Sequence, residues 1–95
     1  MVLIQLAESD SQILGCFSVM YQLRPHLEEV NFVEQVRYQM KEGYQLAFLG
    51  VEGQAVAVAG FRISTNLGFG KFLYVDDLVV DELKRSKSYG EQLFQ

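Results

Sequence analysis

A long apolar stretch at residues 46–63 constrains the fold of this chain more than any other feature. Glu52-Gly53 interrupts the stretch at its middle and Arg62 places a charge near its end, so it predicts a hairpin and not a membrane span. The two strands would be 44–51 and 54–63, and both of their faces are apolar. Because such a pattern is typical of a strand covered on both sides, we expect this hairpin at the centre of a sheet.

The segment before the hairpin predicts one strand and two helices. Residues 2–7 form a short apolar run, as expected of a first strand. Ser9 or Asp10 can cap a helix, and its apolar face consists of Ile13, Leu14, Phe17, Met20 and Tyr21. Asn31 and Glu34 resemble a capping box for a second helix, which Gly43 would end.

After the hairpin, a turn-rich loop at 65–70 leads into a third apolar strand at 71–80 and then into a final helix that begins near Tyr89. The predicted order is therefore β-α-α-β-β-β-α. This order indicates an α+β domain with helices flanking a mainly antiparallel sheet. Ninety-five residues fit a single domain, 1–95.

Composition narrows the class of function. The chain has 12 acidic and 8 basic residues, a net charge of −4, which argues against nucleic-acid binding and suits a cationic partner such as an amine. Its one cysteine, Cys16, is expected to be a small buried hydrophobe. The first residues lack the features of a secretory leader, so a cytoplasmic location is expected. No spacing of His, Cys and carboxylates predicts a metal site.

Two adjacent carboxylates, Asp76 and Asp77, lie within the apolar strand at 71–80. Strand alternation is expected to send them to opposite faces. Carboxylates in such a setting need either partners or a function, and a buried one can act as a base. A structural, hydrogen-bonded role is the alternative for both.

The loop that follows this strand is basic, since it contains Lys84, Arg85 and Lys87. A strand-to-helix turn presents free backbone N–H groups, and the helix dipole adds positive potential, so the loop is a candidate phosphate site. Ser88 and Glu91 also fit a capping box, which would use the same N–H groups for an ordinary helix start.

The run Arg85-Ser86-Lys87-Ser88-Tyr89-Gly90 resembles the acetyl-coenzyme A signature of the GNAT family of N-acetyltransferases, with Ser88 in place of a glycine. Three further stretches are similar to a bacterial branch of that family: 23–27, 54–62 and 72–79. The match covers nearly the whole chain and stops where family members continue, so the resemblance implies a GNAT domain that is incomplete after the signature.

The resemblance also implies roles for particular residues. Backbone groups of Leu78, Val79 and Val80 would bind the pantetheine arm. The pyrophosphate would lie on Arg85, Ser86, Lys87, Ser88, Tyr89 and Gly90. Asp76 would handle the substrate amine as a candidate base, and Arg24 and His26 would line the acceptor pocket.

The resulting hypothesis is acetyl transfer from acetyl-coenzyme A to an amine, inactive or weak in this 95-residue chain. The alternatives are a non-catalytic interaction module and an acyl-coenzyme A-binding module without turnover. Because the strand at 72–80 would be an open sheet edge, we also expect the chain to form a homodimer.

Overall fold

Four strands and three helices make up the part of the chain, residues 2–51 and 54–82, that the computed structural model describes. The strands are β1 (Val2–Leu6), β2 (Tyr44–Val51), β3 (Gln54–Asn66) and β4 (Gly70–Val80), and the helices are α1 (Asp10–Leu14), α2 (Phe17–Leu23) and α3 (Glu29–Met40). This arrangement confirms the α+β class and the order as far as the last strand, with the first predicted helix in two pieces. The predicted final helix lies outside the described residues.

The sheet follows the order of the chain, β1-β2-β3-β4, and each neighbouring pair of strands is antiparallel. The β2–β3 hairpin occupies the two inner positions, as its apolar faces predicted. The register shifts twice, once in β2 between Leu49 and Gly50 and once opposite Gly60 and Phe61 of β3. The second shift shapes the candidate site.

The first predicted helix begins as expected and then divides. Ser9 caps α1 in a full capping box with Gln12. Gly15 and Cys16 separate α1 from α2. Cys16 is fully buried, which confirms its role as a core hydrophobe, and burial raises the pKa of its thiol to about 12.

Two details of the helix predictions are wrong. Leu14 and Tyr21 are exposed. Each follows a buried residue, Ile13 or Met20, and one position along a helix turns the side chain by about 100°, here away from the core. The start of α3 is at Glu29, two residues before the predicted cap, and Asn31 lies exposed within the helix. The predicted end is correct: Gly43 follows α3 with a φ of 97°, a conformation that favours glycine.

The main core lies between the helices and one face of the sheet. All three helices and the three strands β2, β3 and β4 contribute buried side chains to it, including Ile13, Met20, Phe32, Leu46, Val58 and Val79. Arg37 of α3 fastens the helices at the surface, since its Nε and Nη2 atoms donate to Asp10 Oδ1 at 3.0 and 2.8 Å. This ion pair joins α3 to α1.

The opposite face of the sheet also has apolar side chains, and their exposed fractions differ from one part of the face to another. Leu49 and Ala57 are fully buried, whereas Ile4, Leu6, Ile63 and Leu73 are between 43% and 53% exposed. Four apolar side chains that are about half exposed on one face indicate a contact surface.

Candidate acceptor cleft

A β-bulge in β4 controls where the two adjacent carboxylates lie. The pairing register with β3 skips Asp76, which is an extra residue between Val75 and Asp77. Both carboxylates consequently lie beside Tyr44, on the face that the helices cover, and both raise its pKa. The prediction that they face opposite ways is wrong, because alternation fails at a bulge.

Asp77 joins the end of α2 to the sheet. Arg24, which directly follows α2, donates from Nε to Asp77 Oδ1 at 3.0 Å, and its Nη2 atom lies 2.9 Å from the same oxygen. The Tyr44 hydroxyl donates to Asp77 Oδ2 at 3.0 Å. The Asp77 side chain is 15% exposed and that of Arg24 is 45% exposed, so the carboxylate lies inside and its arginine at the surface.

Asp76 is bound by a different arginine. Arg62 Nε donates to Asp76 Oδ2 at 2.7 Å, and this hydrogen bond raises the pKa of the guanidinium. Arg62 also donates to the Glu42 backbone oxygen at 3.1 Å and to Gln39 Oε1 at 2.9 Å. Its guanidinium lies 5.5 Å from the centre of the Tyr44 ring, within the range of a cation–π contact. The Asp76 carboxylate is therefore part of an anchored network.

Tyr44 lies across Gly60, and this close approach requires glycine. A Cβ atom at Gly60 would collide with the hydroxyl end of the Tyr44 ring. Burial, followed by the charge and hydrogen bond of Asp77, raises the pKa of Tyr44 well above its usual value. Tyr44 is therefore a permanent hydrogen-bond donor to Asp77 at neutral pH.

A cleft of about 650 Å³ opens beside this network, between the end of α2, α3 and the bulge of β4. Met20, Phe32 and Val36, all buried, line its apolar part. Arg24, His26 and Asp77 line its polar part. A space of this size with apolar walls and a few converging polar groups is typical of a small-molecule site.

The structure brings some of the predicted site residues together and separates others. Arg24 and His26 both line the cleft, whereas Asp76 is not among its lining residues. Asp77, its neighbour, contributes a carboxylate there, and Glu34 of α3 contributes another. The six residues predicted for the pyrophosphate, Arg85, Ser86, Lys87, Ser88, Tyr89 and Gly90, lie outside the described residues.

The residues predicted for the pantetheine arm lie just beyond the bulge. Leu78 is 40% exposed and Val79 is buried in the core, while Val80 is half-buried. Among the described residues, β4 pairs with β3 and with no other strand. The role of Leu78, Val79 and Val80 in binding the pantetheine arm stays a prediction, and the nearby Asp76 backbone oxygen accepts a hydrogen bond from Arg24 Nη2 at 3.3 Å.

Within residues 2–51 and 54–82, the structure shows neither a cluster of metal ligands nor a membrane-spanning helix. No three His, Cys, Asp or Glu side chains in this part of the chain converge as metal ligands would. None of the helices in it has the length and apolar character needed to cross a membrane.

Sequence reasoning missed Tyr44 and Arg62 as members of the site. Two signals could have found them: Gly60 interrupts an otherwise apolar strand, which indicates a close approach, and Arg62 is a lone cation at the end of that strand. Neither signal identifies the partner that approaches.

Comparison with known proteins places the fold among acetyltransferases. No family model and no curated protein matches the chain. A GNAT family acetyltransferase from Staphylococcus aureus subsp. aureus USA300_TCH1516 superposes with a TM-score of 0.84 at 14% identity, over 98% of this chain and 72% of that one. The glucosamine-6-phosphate N-acetyltransferase of Arabidopsis thaliana gives 0.71 at 22% identity, over 99% and 69%.

A third solved structure includes a ligand. An AAC(6')-Iy structure, in complex with the bisubstrate analog CoA-S-monomethyl-acetylneamine, superposes with a TM-score of 0.74 at 14% identity, over 99% of this chain and 67% of that one. These likenesses show that the chain has the GNAT acetyltransferase fold, as the sequence resemblance implied.

Proposed function

We propose that this protein transfers an acetyl group from acetyl-coenzyme A to an amine that binds in the cleft beside Asp77. The fold it shares with acetyltransferases, one of them in complex with a coenzyme A analog, supports the reaction class. The observation that carries the proposal is the bulge of β4. It brings a carboxylate into a cleft of about 650 Å³ at the strand edge where the cofactor arm would bind.

Acetyl-coenzyme A would supply the activated acetyl group. Its pantetheine arm would bond to backbone groups of Leu78, Val79 and Val80. Its pyrophosphate would bind the loop residues Arg85, Ser86, Lys87, Ser88, Tyr89 and Gly90, as the resemblance implies. The chain's own contribution is to hold the two substrates so that the amine meets the acetyl carbonyl, which converts an encounter in solution into a positioned one.

The acceptor must arrive at the cleft and then lose a proton. Asp77 would attract the protonated amine by its charge, and the open cleft would let the proton leave to water. In the transfer, the new nitrogen–carbon bond forms as the carbon–sulfur bond of the thioester breaks, and the thiol leaves with a proton. Each carboxylate binds an arginine, but Asp77 lines the cleft and Asp76 does not, so we assign amine handling to Asp77.

Acetylation of a panel of primary amines, detected by mass spectrometry, tests this proposal. We expect slow transfer by the wild type and a loss of about tenfold or more in kcat/KM for Asp77→Asn, with little change in acetyl-coenzyme A affinity. Asp10→Asn is the matched control, since its carboxylate also binds an arginine but lies outside the cleft. Failure to bind acetyl-coenzyme A or to acetylate any amine would refute the proposal.

A second candidate function is an interaction module that forms a homodimer. The specific observation is the apolar sheet face with Ile63 and Leu73 about half exposed, next to the β4 edge. Sedimentation equilibrium tests it: a dimer that Leu73→Lys dissociates would support this function. Affinity for acetyl-coenzyme A without acetylation would instead identify an acyl-coenzyme A-binding module.

A further inference from the structure

We propose that the Arg24 guanidinium occupies the position of the acceptor's cationic group, and that an ammonium ligand binds at Asp77 by displacing it. The inference rests on the proposed function and adds the binding step: Asp77 is paired with a cation before the acceptor arrives, and one cation exchanges for another. It also specifies the ligand class, a monocationic primary amine with an apolar chain.

The geometry of the pair favours exchange. Arg24 contributes three contacts to β4, two to Asp77 Oδ1 at 2.9–3.0 Å and one to the Asp76 backbone oxygen at 3.3 Å. All three come from a side chain that is 45% exposed and that extends from the residue ending α2. An exposed arginine regains hydration and side-chain freedom when it leaves, so its release is inexpensive.

The Asp77 side chain, unlike that of Arg24, is held in place on several sides. Asp77 is 15% exposed, lies in the pairing of β4 with β3, and is also held by the Tyr44 hydroxyl at 3.0 Å. A carboxylate this enclosed is costly to leave without a cation. A ligand that removes Arg24 must therefore bring a positive charge, and the buried Met20 and Phe32 of the same cleft would receive its apolar carbons.

The adjacent pair shows why exchange is specific to Asp77. Arg62 is bound to Asp76, to Gln39 and to the Glu42 backbone oxygen, and it lies on the Tyr44 ring. An incoming cation would have to replace all of these contacts. Since Asp76 also lies outside the cleft lining, its arginine should stay in place when an amine binds.

Side-chain NMR of the arginine Nε–H groups tests the exchange on the wild-type chain without acetyl-coenzyme A. The Nε atoms of Arg24, Arg37 and Arg62 each donate a hydrogen bond to a carboxylate, so each group reports on its own ion pair. Titration with n-butylammonium chloride should shift the Arg24 signal and speed its exchange with water, and leave Arg37 and Arg62 unchanged. Titration with n-butanol, which is neutral and of the same shape, should leave all three unchanged.

A variant gives an independent readout. Arg24→Met should bind n-butylammonium about two- to fivefold more tightly than the wild type, because the competing cation is gone. Arg37→Met, which breaks an ion pair outside the cleft, is the control and should bind as the wild type does. Equal or weaker binding by Arg24→Met, or an unchanged Arg24 signal at saturating n-butylammonium, would overturn the inference.

The two proposals can fail separately. If n-butylammonium releases Arg24 but acetyl-coenzyme A does not bind in a separate titration, the exchange site stands and the proposed reaction is wrong. If acetyl-coenzyme A binds and amines are acetylated while Arg24 stays on Asp77, the reaction stands and the exchange is wrong.

Discussion

Asp76 and Asp77 are neighbours of the same residue type, but they bind different arginines and only Asp77 lines the cleft. Asp76 is tied to Arg62, whose other bonds reach Gln39 and the Glu42 backbone oxygen after α3. Asp77 is tied to Arg24, an exposed side chain at the border of the cleft. Arg62 is held by several partners, whereas Arg24 is held mainly by the Asp77 carboxylate.

The comparison indicates how two adjacent carboxylates can differ through the contacts of their arginine partners. The bulge places both side chains on one face, so neither burial nor the choice of face separates them. They differ in the surroundings of their arginines, in the Tyr44 hydroxyl that binds Asp77, and in the cleft that Asp77 lines. We expect the Arg62 pair to contribute to folding and the Arg24 pair to contribute to ligand binding.

The largest expected effect comes from the contact that both pairs share, Tyr44 over Gly60. Gly60→Ala should lower the free energy of unfolding by about 1–3 kcal/mol, because the new Cβ collides with the Tyr44 ring. Gly68→Ala is the control: its Cβ would meet nothing closer than 3.7 Å. Denaturant titration of both variants is the measurement, and equal stability would mean that Tyr44 does not lie across Gly60.

The next effect separates the two arginines. Arg62→Met should lower the denaturation midpoint clearly more than Arg24→Met, since Arg62 loses bonds to three partners and the Arg24 side chain is 45% exposed. Arg24→Met should still lower stability measurably, because it leaves the enclosed Asp77 carboxylate without its cation and with the Tyr44 hydroxyl as hydrogen-bond donor. A larger loss for Arg24→Met would reverse the assignment of the structural role.

A smaller effect should follow removal of one hydroxyl. Tyr44→Phe loses the hydrogen bond to Asp77 and should cost about 1 kcal/mol at neutral pH. Because the folded-state pKa of Tyr44 is raised, the folded chain keeps a proton that the unfolded chain releases above a pH of about 10. Stability should therefore fall above that pH, and less steeply in Tyr44→Phe. Parallel slopes for the two proteins would contradict the buried, neutral phenol.

Local sequence signals predicted much of the fold. The bounds of β2, a helix cap at Ser9 or Asp10, and the end of α3 at Gly43 each depend on neighbouring residues. The structure confirms the first and the last and shows Ser9 as the cap. The start of α3 was not predicted correctly, because Asn31 and Glu34 fit a capping pattern that the chain does not use. Patterns of this kind compete, and tertiary packing decides between them.

The site was less predictable because its contacts are distant in sequence. Arg24 and Asp77 are 53 positions apart, and Tyr44 and Asp77 are 33 apart. The bulge that brings Asp76 and Asp77 to one face has no signature in the run 72–80, which is apolar except for these two carboxylates. The sequence therefore indicated that two carboxylates needed partners but not which of them would face the cleft.

The most direct test of the account is the rate of acetyl transfer to n-butylamine by Asp77→Asn and by Asp76→Asn, measured side by side under the same conditions. The account predicts that Asp77→Asn lowers kcat/KM by about tenfold or more. It predicts that Asp76→Asn, in the fraction of protein that remains folded, changes kcat/KM by about twofold at most. A larger loss for Asp76→Asn than for Asp77→Asn would contradict this assignment and would identify Asp76 as the carboxylate that handles the amine.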